Sequence, residues 1–126
     1  MIRHLTATGL TSTTNLKLTP NVGYRWRILS VWGFLVTGAT TGSRTLDFFL
    51  LPFQTTGGAA MTLATTQSQT GVNTTYLCAL IGSSGNSNTR YSDIYSDTSA
   101  PILIVPVLVS GDTFGYDIQV LEEPDI

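Results

Sequence analysis

The chain is poor in the residues that most chemistry needs. It carries one cysteine, one histidine and, in Lys17, one lysine among 126 residues, and only 11% of its residues are charged. One cysteine excludes an internal disulfide, and two Cys and His residues in all fall short of a structural zinc site. A single histidine, His4, leaves any serine or cysteine triad with one candidate base. Cys78 lies in the apolar run Tyr76-Leu77-Cys78-Ala79-Leu80-Ile81, where a buried, inert thiol is expected, and no serine sits in a nucleophile-elbow setting. Six basic against eight acidic residues give a net charge of −2, too few cations for the basic patch of a nucleic-acid binder. The longest apolar stretches, Ile28 to Val36 and Pro101 to Val109, are too short to span a bilayer as helices. Met1-Ile2-Arg3-His4 leads into polar sequence, so neither a secretory leader nor a membrane partner is expected.

Other sites are equally thin. Asp93 and Asp97, four residues apart, resemble no calcium loop and are expected to cap strand ends. Asp47 and Asp117 lie within strand-like runs and would form an acid–base pair only if both faced one cleft. Gly38 to Gly42 has no following helix to supply a phosphate site, so it reads as a turn. Tyr91 and Tyr95, beside the loop Gly82 to Thr89, offer a sugar-stacking platform, as does Trp32 if its face is open. The default for such aromatics is core or interface packing. Asn73-Thr74-Thr75 matches a glycosylation sequon by chance. The expectation is a non-enzyme without metal or cofactor.

What is abundant points to strands. Threonine, serine and glycine make up about a third of the chain, while the helix-surface residues alanine, glutamate and lysine are scarce. The chain is long enough for one domain with its own core. Eight strands can be laid between turn signals: Ile2 to Ala7, Tyr24 to Val36, Arg44 to Phe53, Ala60 to Thr66, Thr75 to Ile81, Arg90 to Tyr95, Pro101 to Val109 and Thr113 to Leu121. Asn15 to Leu18 adds a short piece. No helix of three turns appears. The expected fold is an all-β, antiparallel two-sheet sandwich with jelly-roll connectivity, with an immunoglobulin-like sandwich as the alternative, although its Cys-Trp-Cys framework is absent. The acidic end, Glu122 to Ile126, is expected to fray after the last strand.

The segment Pro20 to Phe49 is unusual in being apolar on both faces. By the two-residue period, Trp26, Ile28, Trp32, Phe34 and Val36 share one face, with Leu29, Val31 and Leu35 on the other. Leu46, Phe48 and Leu50 likewise oppose Asp47, Phe49, Leu51 and Phe53. The two strands read as a hairpin whose first face builds the core and whose second seeks cover. Leu29, Val31, Phe49 and Leu51, with the same-face cations Arg25 and Arg27, are therefore the candidate oligomer or partner interface.

The series Pro20, Gly23, Trp26-Arg27-Ile28-Leu29-Ser30-Val31, then Thr37 to Thr41, then Gly42-Ser43-Arg44-Thr45-Leu46, resembles a pattern in small virion proteins of tailed bacteriophages. The closing Gly111-Asp112-Thr113 turn and Val120-Leu121-Glu122-Glu123 fit the same pattern. The similarity covers about a third of the chain, and its motifs are structural. It implies a capsid decoration (cement) protein. Such a protein is a homo-oligomer, most often a trimer, made in the host cytoplasm, that binds the major capsid protein and stabilises the head. A tail or head-fibre component, or a carbohydrate-recognising module, is the alternative.

Overall fold

The computed structural model describes residues 1–50, 61–80 and 94–125. Within them lie nine strands: β1 (Ile2–Leu10), β2 (Leu16–Leu18), β3 (Tyr24–Val36), β4 (Thr45–Leu50), β5 (Met61–Thr65), β6 (Thr75–Ala79), β7 (Tyr95–Ser96), β8 (Ile102–Val107) and β9 (Thr113–Pro124). No helix occurs among the described residues.

Two antiparallel sheets result. The first has the order β1-β9-β3-β6, with the two-residue β7 also on β3, and the second has the order β2-β8-β4-β5. The chain changes sheet at every step except β4 to β5 and β6 to β7. An immunoglobulin-like sandwich would place its first two strands side by side in one sheet. Here β1 and β2 lie in different sheets, and the eight main strands divide four and four as a jelly roll.

One core fills the space between the sheets. Leu46, Phe48 and Leu50 of β4 join Val31 and Leu35 of β3 and Phe114, Ile118 and Val120 of β9. Phe48 meets Tyr116 edge to face across the sandwich, ring centroids 6.4 Å apart. Burying a side chain of this size contributes about 1.5–3 kcal/mol, so this alternating set is the main source of stability. Gly33 sits where the two sheets approach closely. A Cβ there would strike the Phe48 ring and lie 2.7 Å from the Cys78 Sγ, so glycine is the residue that lets the two sheets close.

The expected hairpin between Tyr24 and Phe53 does not form. β3 and β4 belong to different sheets, and residues 37–44 are a crossover at one end of the sandwich. A second crossover, from β5 to β6, runs beside it. The Thr37 amide and hydroxyl both donate to the Thr74 carbonyl, the Asn73 amide donates to the Gly38 carbonyl, and Arg44 and Gln69 exchange backbone bonds. Two strands with one strongly apolar face each bury more by facing one another than by lying side by side.

A bulge overturns the even face count of β3. Ile28 pairs with Val120 and Ser30 with Gln119, which leaves Leu29 as an extra residue. Before the bulge, Trp26 and Ile28 point inward; after it, Val31, Gly33 and Leu35 do. The bulge also marks a change of neighbour on the far edge of β3. The Ile28 amide donates to the Ile94 carbonyl beside β7, whereas the Val31 carbonyl accepts from the Leu80 amide beside β6.

The acidic end does not fray. β9 continues to Pro124, with Glu122, Glu123 and Pro124 opposite Trp26, Arg25 and Tyr24. The Asp125 amide reaches the Gly23 carbonyl.

Candidate functional site

The described residues hold few charged groups that are not tied to one another. Arg44 and Asp112 form an ion pair whose side chains have no solvent exposure at all. The guanidinium donates from Nε and Nη2 to both carboxylate oxygens at 3.0 Å, and from Nη1 and Nη2 to the Gly42 and Thr40 carbonyls. Asp112 also accepts from the Gly38 and Val109 amides. The Arg44 bond, helped by those amides, holds the Asp112 carboxyl down at about 2 against the opposing effect of burial. Arg44 comes from the Gly-Ser-Arg-Thr-Leu run and Asp112 from the Gly-Asp-Thr turn. These two short motifs are thus joined through their charged members, which gives them a structural role.

At the opposite end of β3, the Glu122 carboxylate accepts from the Trp26 indole at 3.0 Å and from Arg3 at 2.8 Å. These two donors hold it below the usual carboxylate range. Asp47 accepts a short hydrogen bond from the Thr65 hydroxyl on the outside of the second sheet, while Asp117 lies near His4 on the outside of the first. The two aspartates are thus on opposite surfaces and share no cleft. Asp97 caps its own turn by accepting from the Ser99 amide and hydroxyl, and Asp93 lies outside the described residues. Burial pushes the Cys78 thiol up to about 11, which suppresses the thiolate at neutral pH. No cluster of three or more His, Cys, Asp or Glu placed to hold a metal occurs among the described residues. A recess of about 220 Å³ between Thr11, Thr13 and the Leu108–Thr113 turn contains no ionisable group besides the fully engaged Asp112.

The anticipated interface residues are scattered. Val31 is 1% exposed and belongs to the core, because the bulge at Leu29 turns it inward, so it is removed from any intersubunit surface. Leu29 is exposed at the bulge itself. Phe49 is half-buried on the outside of the second sheet, opposite Leu103 and Thr62. Leu51 lies outside the described residues, as does Tyr91. Arg25 pairs with Glu123 at 2.9 Å and stacks on the Tyr95 ring at 4.3 Å, so that ring face is covered by a guanidinium. Arg27 is half-buried between Leu121 and Tyr95 in register.

The surface that the structure does assemble lies on the outside of the first sheet. After the bulge, Trp32, Phe34 and Val36 project outward along β3. Their cross-strand partners on β6 are Ala79, Leu77 and Thr75, and on β9 Asp117, Gly115 and Thr113. Trp32 is 47% exposed and Leu77 62% exposed, with Val36 and Leu29 also open to solvent. This contiguous row of apolar side chains on a sheet face, rimmed by Thr75, Asp117 and Ser30, is the candidate site. Trp32 was expected in the core. The residues that form the patch were visible in the sequence, but the extra residue that turns them outward has no sequence signal.

No family of known proteins matches the chain, and no curated protein is similar to it.

Proposed function

We propose that this jelly roll is a non-enzymatic structural protein of a phage particle, one that self-associates and lies on the coat shell to reinforce it. The observation that carries the reading is the apolar row of exposed Trp32, Val36 and Leu77 with half-buried Phe34 between them, on an otherwise well-packed sandwich. A sheet face of this kind gains free energy by being covered, and its sparse charge offers little that would repel a protein surface. The phage-like segment from Pro20 to Leu46 supports the virion setting. Binding only the assembled shell would stabilise it by mass action, and many modest contacts would add through multivalency.

Co-sedimentation with empty coat-protein shells tests this role. Native protein is expected to pellet with the shells, and Leu77→Asp to remain in the supernatant with an unchanged melting temperature. Native protein that stays in solution at saturating shell concentration would reject the assignment.

One observation favours a second reading. The Trp32 ring is open, with Asp117 beside it in register and His4 next to Asp117, an arrangement suited to stacking and hydrogen bonding a sugar. Glycan-array binding that Trp32→Ala abolishes would support a carbohydrate-recognising module instead.

A further inference from the structure

β1 is the longest edge strand among those described, and its pairing with β9 fixes which of its backbone groups face outward. The Met1 nitrogen donates to the Glu122 carbonyl, and the Glu122 amide donates back to the Met1 carbonyl. Residues 1 and 122 are therefore a hydrogen-bonded pair. In an antiparallel ladder such pairs alternate with non-bonded ones. From the register, Arg3, Leu5 and Ala7 bond to Val120, Ile118 and Tyr116, whereas Ile2, His4 and Thr6 aim their N–H and C=O groups away from the sheet. Among the described residues no strand covers that edge. The run stops being flat at Thr8 and Gly9, where the register shifts and Gly9 takes a φ of +64°.

Proteins usually blunt such an edge with lysine, proline or brevity. The β1 sequence IRHLTATGL has neither residue, and its one cation, Arg3, is bound to Glu122. β2, at the corresponding edge of the second sheet, is only three residues long. The edge also carries exposed apolar surface at Met1 and Ile2, the latter 55% exposed.

We propose that two copies of the chain pair antiparallel through β1, about a two-fold axis passing through His4. The three outward-facing residues are symmetric about His4, so the strand is its own complement. His4 opposes His4 of the second copy, Ile2 opposes Thr6, and Thr6 opposes Ile2, each as a bonded pair. The bulge at Thr8 and Gly9 stays outside the seam. Arg3 falls opposite Leu5, so the two guanidinium groups do not meet directly. Ile2 is covered, and the four main strands of each first sheet join into one sheet eight strands wide. This inference rests on the reading of the protein as self-associating. It makes the assembling unit a dimer in place of the trimer that the phage resemblance implies.

Two variants and the native chain test it. At high micromolar concentration the native protein is expected to have twice the 13.5 kDa chain mass by light scattering. His4→Pro removes an outward-facing N–H together with an exposed imidazole whose contact is the Asp117 carboxylate, and no bond to β9 is lost from the backbone, so the domain should fold normally while dimer dissociation shifts roughly tenfold or more in concentration. The register is read separately by His4→Cys. A bonded antiparallel pair has Cα atoms about 5.5 Å apart, within reach of a disulfide, so oxidation should give a covalent dimer. Ile2→Cys should give none, because the two positions lie more than about 13 Å apart along the strands. The buried native Cys78 does not compete. A monomeric native chain, an assembly that His4→Pro leaves intact, or a His4→Cys protein that stays uncross-linked while assembled would each overturn the pairing. The shell assay reads Leu77, so binding to the shell is tested separately from this seam.

Discussion

Arg44 and Asp112, 68 residues apart in sequence, meet in a bidentate ion pair that water does not reach. The pair locks the crossover between β3 and β4 to the turn before β9. Every polar atom described in it has a partner, which is the condition under which a buried charge pair is tolerated. Removing either member leaves the other charged and buried without its counter-ion, with only backbone groups to bond.

Asp112→Ala is accordingly expected to lower the melting temperature by roughly 10 °C or more. Arg44→Lys should recover little, since an ammonium cannot span both carboxylate oxygens and two carbonyls at once. Differential scanning calorimetry of the two variants checks this. A loss of only a degree or two would mean the pair is dispensable.

Acid stability follows from the same carboxylate. Asp112 is held at about 2, below its usual value of about 3.9, so the folded state binds its proton less readily than the unfolded chain does. Its contribution is complete above about pH 5 and is lost progressively as the pH falls toward 2. Glu122, held down by Trp26 and Arg3, acts in the same direction. Melting temperature should be flat from neutral pH to about pH 5 and then fall. Asp112→Asn should start lower and show a shallower acid decline. An equal slope in both proteins would contradict this.

Gly33→Ala tests how closely the sheets approach. The new methyl must displace the Phe48 ring and the Cys78 side chain, a strain of about 1–3 kcal/mol. Chemical denaturation should show the loss with an unchanged m value. In the same native protein Cys78 should resist a thiol reagent at neutral pH and react only on unfolding.

The two tryptophans report on the two ends of β3. Trp26 is buried with its indole on Glu122, whereas Trp32 is half open to solvent. Acrylamide should quench the native emission in two phases, and Trp32→Phe should remove the fast one. Persistence of fast quenching in that variant would place Trp26, not Trp32, at the surface.

The fold class was legible because alternation marks strands directly. Leu46, Phe48 and Leu50, and Phe114, Ile118 and Val120, show the period that the core uses. Pairing was less so. The run of apolar strands at Tyr24 and Arg44 looks like a hairpin locally, and only the gain from facing the two apolar rows across the core moves β4 to the other sheet. The contact surface was half legible. Excess apolar surface on β3 was plain, but Val31, expected to help carry it, is inside, whereas Leu29 is exposed as expected and Trp32 is out. Leu29 looks like any strand residue, and its extra place in the ladder is fixed by β9 and by the handover from β7 to β6, both distant in sequence. The acidic tail read as solvated because the partners that hold it, Arg3, Arg25 and Trp26, lie about a hundred residues away.

The bulge at Leu29 acts as a parity switch. Substitutions along β3 can change how greasy each surface is, but they cannot exchange the surfaces. Drawing Leu29 into the ladder would. Strict alternation from Trp26 and Ile28 would then present Trp32, Phe34 and Val36 to the interior and turn Val31, Gly33 and Leu35 outward, so the interior would have to accept two aromatic rings where a glycine now sits. A chain without Leu29 would keep Ser30 opposite Gln119 and Val31 opposite Ile118 and leave each side chain on its present face. The one residue held out of the ladder, more than the composition of the strand, is what keeps its apolar row facing outward.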